Sequence, residues 1–300
     1  MNIFKRVCRS VIFRSLPFLV RINPVFATKV RYRLVIGRKL NLKNPTAMTE
    51  KMQWLKLNKY SSDPLVAKCI DKYGVRDYII ECGCSEILNE LYYAWDNVNE
   101  IDWGKLPEKY VLKCGHGCGY NIICDGKKKN DKTTAITKLN SWMNEEYGIS
   151  SCELVYHNVK RKIICEKYIE TIDGGSLTDY KIFCSYGIPK LIYVITGGHG
   201  GREHLDYFTT DWKHISVRNG KLPNADKPLD KPKNLDELLK YASVLSKPFP
   251  IVRVDLYNEN NKIIFGELTF LATGGTPKYD PPEYDFEFGK MFPIKELGEK

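Results

Sequence analysis

The ten cysteines include no C-x-x-C pair, the chain has no low-complexity tract and no internal repeat, and its uncharged apolar runs are short. The first absence excludes a paired zinc pattern. The last excludes a bilayer-spanning helix, which needs roughly 20 apolar residues. With Cys165 in KIIC and Cys184 in KIFC inside strand-like apolar runs, the cysteines read as reduced, buried thiols of a cytoplasmic protein. No Walker-type GK[ST] follows the glycine-dense loop at 115–119, and no D-x-D stands behind a strand. No histidine is placed for a Ser-His-Asp or Cys-His pairing, so a covalent nucleophile is not expected.

Acid is also missing from one whole segment. Residues 1–40 carry ten Lys/Arg and no Asp or Glu, within a chain of formal net charge +10. Without those ten, the 46 basic residues fall to the number of acids, 36, so the body is neutral. A neutral body with a basic arm argues against a nucleic-acid partner. In the arm Arg9, Arg14 and Arg21 are interspersed with Val11, Phe13, Leu16, Phe18 and Val20. Arg14 interrupts the apolar stretch and no cleavage site follows, so it does not read as a secretory signal. Two readings stay open. The arm contacts an anionic membrane peripherally, where each basic residue contributes about 1 kcal/mol, or it is a basic helical segment packed on the body.

What is present is an ordinary globular composition, long enough for two lobes. Thr49-Glu50 opens a helical run through Trp54, Leu55 and Leu57. Further helices are expected over 64–81, 131–147 and 235–246. YVLKC (110–114) reads as a buried strand entering the glycine loop, with strands expected at 162–169, 180–185 and 190–196. Residues 250–270 read as two strands about a turn at 258–261, and a Gly/Pro-rich tail follows. The mixture is α+β.

Four segments carry chemistry. In IVRVDLYNENNKIIFGELTF (251–270), strand alternation puts Arg253 with Asp255, and Glu267 with Thr269. A turn centred near Asn260 would set Arg253 opposite Glu267. Such oxygen donors suit Mg²⁺ completed by substrate phosphates; a solvated face with an Arg–Glu cross-strand pair is the plain alternative. In KCGHGCGYN (113–121), the glycines let backbone N–H groups approach phosphate oxygens, with Lys113 adding charge. ICEKYIE (164–170) can offer backbone groups to an adenine edge. TDYKIF (178–183) places Asp179 and Lys181 on one strand face. His199 and His204, with GGHGG (197–201), read as an ordinary mobile loop, with the border of an acceptor pocket as the alternative.

This order of motifs resembles the ATP-grasp superfamily, and more narrowly the TupA-like ATP-grasp family of bacterial surface polysaccharide and teichuronopeptide synthesis. TEKMQWLKL (49–57), DKYGVRDYI (71–79), LPEKYVLKCGHG (106–117), RVDLY (253–257) and FGELTF (265–270) share in the resemblance, which covers about residues 40–290. It implies two α+β lobes holding ATP between them. The division expected is a basic segment at 1–45, a helical region at 46–109, a small lobe at 110–170, and a large lobe with the metal site at 171–300. Lys72 and Lys113 would meet the phosphates, and Gly115, His116, Gly117 and Gly119 would form a mobile loop over them. Glu166 and Lys167 would meet the adenine, with Tyr168 and Ile169 as hinge backbone. Asp179 would take the ribose hydroxyls. Lys181 would lie near the phosphates and Arg253 would stabilise the transferring phosphoryl group. Asp255, Glu267 and Thr269 would hold Mg²⁺, although many ATP-grasp ligases have Asn where this chain has Thr269.

The function so implied is an ATP- and Mg²⁺-dependent carboxylate–amine ligase acting through an acylphosphate. Its substrates would be a sugar acid or polysaccharide precursor and an amino acid or peptide amine, at the cytoplasmic side of the membrane. A capsule or exopolysaccharide glycosyltransferase is the alternative enzyme, disfavoured by the missing D-x-D. A non-catalytic nucleotide-binding scaffold is disfavoured by Lys72, Lys113, Asp255 and Glu267.

Overall fold

The computed structural model describes residues 3–126, 131–171, 177–197, 203–220 and 222–298, with side chains from residue 10 onward. His199 therefore lies outside the described residues.

The basic segment forms two helices, α1 (Ile3–Ile22) and α2 (Pro24–Ile36). Asn23 separates them: its side chain accepts from the Phe26 N–H, Pro24 occupies the first turn, and Gly37 ends α2 at φ 92°. Each feature matches its position, since the first turn leaves N–H groups unpaired and a left-handed C-cap favours glycine. Val20 and Ala27 pack against Ile149 and Cys152, with Leu19 beside them, so one side of the arm is seated on the body. No described helix is long and apolar enough to cross a membrane.

Helix α3 (Met48–Asn58) is buried nearly all round. The single helix expected over 64–81 is two, α4 (Pro64–Ile70) and α5 (Val75–Glu81). The break falls at Asp71, which is extended and accepts the Tyr73 N–H through its side chain. An aspartate bonding its own neighbouring backbone competes with helix continuation. That break projects Lys72 out of the helical layer.

Two antiparallel sheets follow. The smaller has the order β1-β4-β2-β3, from β1 (Leu91–Trp95), β2 (Tyr110–Cys114), β3 (Asn121–Cys124) and β4 (Ile163–Lys167). Helix α6 (Lys132–Asn144) covers one face, and Leu112, Leu139 and Ile163 are fully buried between them. The small sheet thus draws β1 from the stretch expected to be helical, and β3 follows the glycine loop directly.

The larger sheet has the order β11-β10-β5-β6-β7-β8. Its strands are β5 (Asp179–Ser185), β6 (Ile188–Thr196), β7 (His204–Phe208), β8 (His214–Ile215), β10 (Val252–Glu259) and β11 (Lys262–Thr269). A short pair, β9 (Arg218–Asn219) with β12 (Tyr279–Asp280), stands apart. Helix α7 (Leu235–Ser246) presents Leu238, Ala242 and Leu245 to this sheet. Helix α8 (Tyr284–Met291) lies in the tail expected to be irregular, and Phe288 anchors it in the same core as α3 to α5. His204 opens β7 rather than sitting in a loop.

Candidate active site

The site begins with the β10–β11 hairpin. Asn260 and Asn261 have φ of 50° and 59°, the left-handed pair that a tight two-residue hairpin turn requires. The ladder starts as Glu259↔Lys262 and runs to Leu256↔Phe265, then shifts by one at Gly266. Beyond this bulge Asp255 pairs with Glu267 and Arg253 with Thr269. The register expected from a turn at Asn260, with Arg253 opposite Glu267, is corrected by the later turn and the bulge together.

Arg253 ties the cluster. It donates from Nε to Asp255 Oδ1 at 2.6 Å and from Nη2 to Asp255 Oδ2 at 2.5 Å, while Nη1 donates to the Tyr193 hydroxyl at 2.7 Å. Its Nη2 also reaches Thr269 Oγ1 at 2.9 Å and Glu267 Oε1 at 3.3 Å. The Thr269 hydroxyl donates to Glu267 Oε1 at 2.7 Å. Lys181, on neighbouring β5 and paired in register with Asp255, bridges Asp255 at 2.6 Å and Asp179 at 2.5 Å. Such buried charges persist because every one is matched. Burial raises the cost of the Glu267 charge, but Arg253, Lys72 and Lys181 outweigh it and hold the carboxyl down at about 2. Burial likewise opposes the Lys181 ammonium, and Asp255 and Asp179 overcome it.

Lys72 and Lys113 face this cluster across a cavity of about 230 Å³ that Arg253, Glu267 and Thr269 also line. The Lys113 ammonium lies 2.6 Å from Glu166 Oε2, and Arg76 holds the other oxygen at 3.2 Å. Glu166 thus lines the same cavity, with its carboxylate committed to two cations, Lys113 of β2 and Arg76 of α5. Lys72 donates from its backbone to the Gly115 carbonyl at 3.2 Å and from its ammonium to the Gly117 carbonyl. Burial lowers its pKa.

The glycine loop is closely packed at two of its glycines. A Cβ at Gly115 would meet Asp71 Oδ1 at 2.6 Å, and one at Gly117 would meet the Tyr120 ring at 2.4 Å. His116 is buried, turned inward, with Nε2 2.9 Å from the Trp142 carbonyl. Burial lowers its pKa, favouring the neutral ring. Gly119, at φ 77°, turns the chain back into β3.

A second cavity, of about 430 Å³, adjoins the first at Asn89 and Lys113. Val111, Ile123, Ile195 and Tyr257 give it apolar walls, and the segment Lys167, Tyr168, Ile169 runs along it. Asp179 lines it too, and Asp179 Oδ1 is buried without a hydrogen-bond partner among the described residues. Burial pushes that carboxyl up to about 6 despite Lys181. The Lys167 ammonium is directed to Glu90 at 3.1 Å, at the exposed rim.

A family model described as TupA-like ATPgrasp matches residues 50–293. The chain belongs to the TupA-like ATP-grasp family. Its fold is accordingly α+β, of the ATP-grasp type. No curated protein matches it. Among solved structures it is similar to the D-alanine–D-alanine ligase of Bacillus anthracis complexed with ATP, at 14% identity and a TM-score of 0.40, covering 69% of this chain and 57% of that one. The D-alanine–D-alanine ligase of Helicobacter pylori matches at 12% identity and TM-score 0.42, over 83% and 67%. The L-amino acid ligase of Bacillus licheniformis matches at 12% and 0.40, over 73% and 43%. The chain thus spans little more than half the length of the first.

Within this ATP-grasp chain the residues suit a divalent ion bound with nucleotide. Among the described residues no three His, Cys, Asp or Glu side chains form a metal cluster. Asp255 and Glu267 are the two carboxylates that could hold such an ion, and phosphate and water would complete the shell, as Mg²⁺ prefers. The unpartnered Asp179 oxygen fits a sugar hydroxyl. Residues that sequence reasoning missed include Arg76, Tyr193 and Gly266. Arg76 lay within a quoted motif, but nothing in its spacing signalled a partner 90 residues away.

Proposed function

We propose that this chain is an ATP- and Mg²⁺-dependent carboxylate–amine ligase, working through an acylphosphate, that joins an amino acid or peptide to a sugar acid of a surface polysaccharide precursor. The observation that carries it is one cavity lined by Lys72, Lys113, Arg253 and Glu267, with Asp255 paired opposite Glu267 and bound to Arg253 behind it.

In this reading the adenine occupies the apolar cavity beside Tyr257, against the backbone of Lys167 to Ile169. Asp179 Oδ1 accepts from the ribose. Lys72, Lys113 and Lys181 take the phosphates, and Glu166 orients Lys113 rather than touching the base. Asp255 and Glu267 hold Mg²⁺, with Thr269 fixing the Glu267 carboxylate; bound there, the ion neutralises phosphate charge. Arg253, rigidly held by Asp255 and Tyr193, is aimed at the transferring phosphoryl group. The protein contributes position and fixed charge, which is the main lever in phosphoryl transfer. The far end of the same cavity, at Tyr147, Glu153, Tyr156, Thr273 and Gly274, is where the acceptor would lie.

The test is release of ADP and phosphate from Mg-ATP with a panel of uronic acids and amino acids, using hydroxylamine to trap an activated carboxylate. Turnover that needs both a carboxylate and Mg²⁺, and that Asp255→Asn abolishes, is expected. A melting temperature raised by UDP-sugars and not by Mg-ATP would overturn the reading.

A further inference from the structure

Eleven large apolar side chains are exposed among the described residues, and five of them fall between residues 11 and 26. Val11, Phe18 and Ile22 are 61%, 65% and 66% exposed. At 100° per residue they lie within about 40° of one another on α1. Val20, which seats the helix on Ile149 and Cys152, lies on the opposite side, as does the fully buried Leu16. At the tip of the hairpin Val25 and Phe26 are also exposed, 40% and 53%. Lys29 and Arg33 continue the Phe26 stripe along α2, and Arg14 and Arg21 flank the α1 stripe; all four are exposed, Arg21 while paired with Glu146 of the body. The seating on the body is therefore complete on one side and leaves an apolar ridge bordered by bases on the other.

We propose that this outer face of the α1–α2 hairpin docks on an anionic phospholipid surface, lying in its interface without crossing it. The apolar ridge supplies one membrane signal and the basic border the second, and peripheral anchoring takes two such signals. Long Lys and Arg stems can follow the ridge while their charges reach lipid phosphates. A second copy of the chain is the poorer occupant, because residues 1–40 hold ten bases and no acid and would face their like. The inference does not depend on the proposed ligase chemistry.

Flotation of the full chain tests it, with vesicles of phosphatidylcholine containing 30% phosphatidylglycerol, on the order of a biological anionic fraction, against pure phosphatidylcholine. The wild type floats with the anionic vesicles and is released as salt rises. Phe18→Ser with Phe26→Ser, and separately Lys29→Glu with Arg33→Glu, each reduce the bound partition by on the order of tenfold or more. Both variants are expected to keep a melting temperature close to the parent's, since all four side chains are exposed. The lipid and salt dependence of the wild type is read without any variant. Wild type that stays unbound, or that binds neutral vesicles equally well, overturns the proposal. So does concentration-dependent self-association that the Phe pair abolishes while flotation is absent.

Discussion

Asp255 stands directly opposite Glu267 in the β10–β11 ladder, and Gly266 is the extra residue that puts it there. Counting unbroken from Glu259↔Lys262 would set Glu267 opposite Val254, which is fully buried on the apolar face. One inserted residue reverses the face of everything beyond it, because strand side chains alternate with period 2. A Cβ at Gly266 would lie 3.0 Å from the Asp255 carbonyl and 3.4 Å from the Tyr257 ring. Gly266→Val should therefore push β11 from β10, destabilising the fold by about 1–3 kcal/mol. It should also remove the rise in melting temperature on adding Mg-ATP. A variant that keeps that rise would show that the bulge does not set the site.

The two carboxylates differ in what their loss leaves behind. Asp255 is buried against Arg253 and Lys181, whereas the Glu267 side chain is 38% exposed to the cavity. Asp255→Asn strands two buried cations and should cost about 3–5 kcal/mol in the ligand-free protein. Glu267→Gln should cost much less. Both should lose Mg-ATP stabilisation. Chemical denaturation with and without Mg-ATP checks this, and equal ligand-free losses would count against the asymmetry.

Period-2 alternation was enough to read the apolar and polar faces of β10; the family resemblance implied that Lys72, Lys113, Asp255 and Glu267 share one site, and Lys72, Lys113 and Glu267 line one cavity, with Asp255 paired to Glu267. Cavity geometry was not legible. Glu166 and Lys167 are adjacent in sequence but point to different places, one to Lys113 and Arg76, the other to Glu90 at the rim. Strand alternation predicts that they diverge, but not which of them meets a nucleotide. The glycines of the loop read as letting the backbone approach a ligand, and its mobility was implied by the family resemblance. Here Gly115 and Gly117 are small because Asp71 and Tyr120 occupy the space a side chain would need. The break at Asp71 was hidden because 64–81 retains helical periodicity on both sides of it. The outer ridge of α1 needed the packing partner of Val20 to be visible.

If Glu166 orients Lys113, its loss should be felt at the phosphates and not at the base. Glu166→Gln is expected to weaken ATP binding about tenfold, a loss within the range for one charge-assisted hydrogen bond. Adenosine binding and the preference for ATP over GTP should stay as they were. Calorimetric titration of the three ligands distinguishes the cases. A selective loss of adenosine affinity would return Glu166 to the adenine.

Asp179 should make ribose binding depend on pH. Burial raises its carboxyl from the ordinary 3.8 to about 6, so between these values the folded chain keeps a proton that the unfolded chain has lost. In that window the fold gains stability as pH falls, and above it the ionised group is held at a cost. Binding runs the other way, because the ionised carboxylate is the stronger acceptor for the ribose hydroxyls. Adenosine affinity should therefore rise as pH increases through about 6, by about tenfold for each unit by which the ribose lowers the pKa. The phosphates of ATP titrate in the same range, which is why adenosine is the cleaner probe. Its 2′,3′-dideoxy analogue should show no such rise, and Asp179→Asn should flatten the profile for adenosine itself. A profile that keeps its slope in Asp179→Asn would place the titrating group elsewhere.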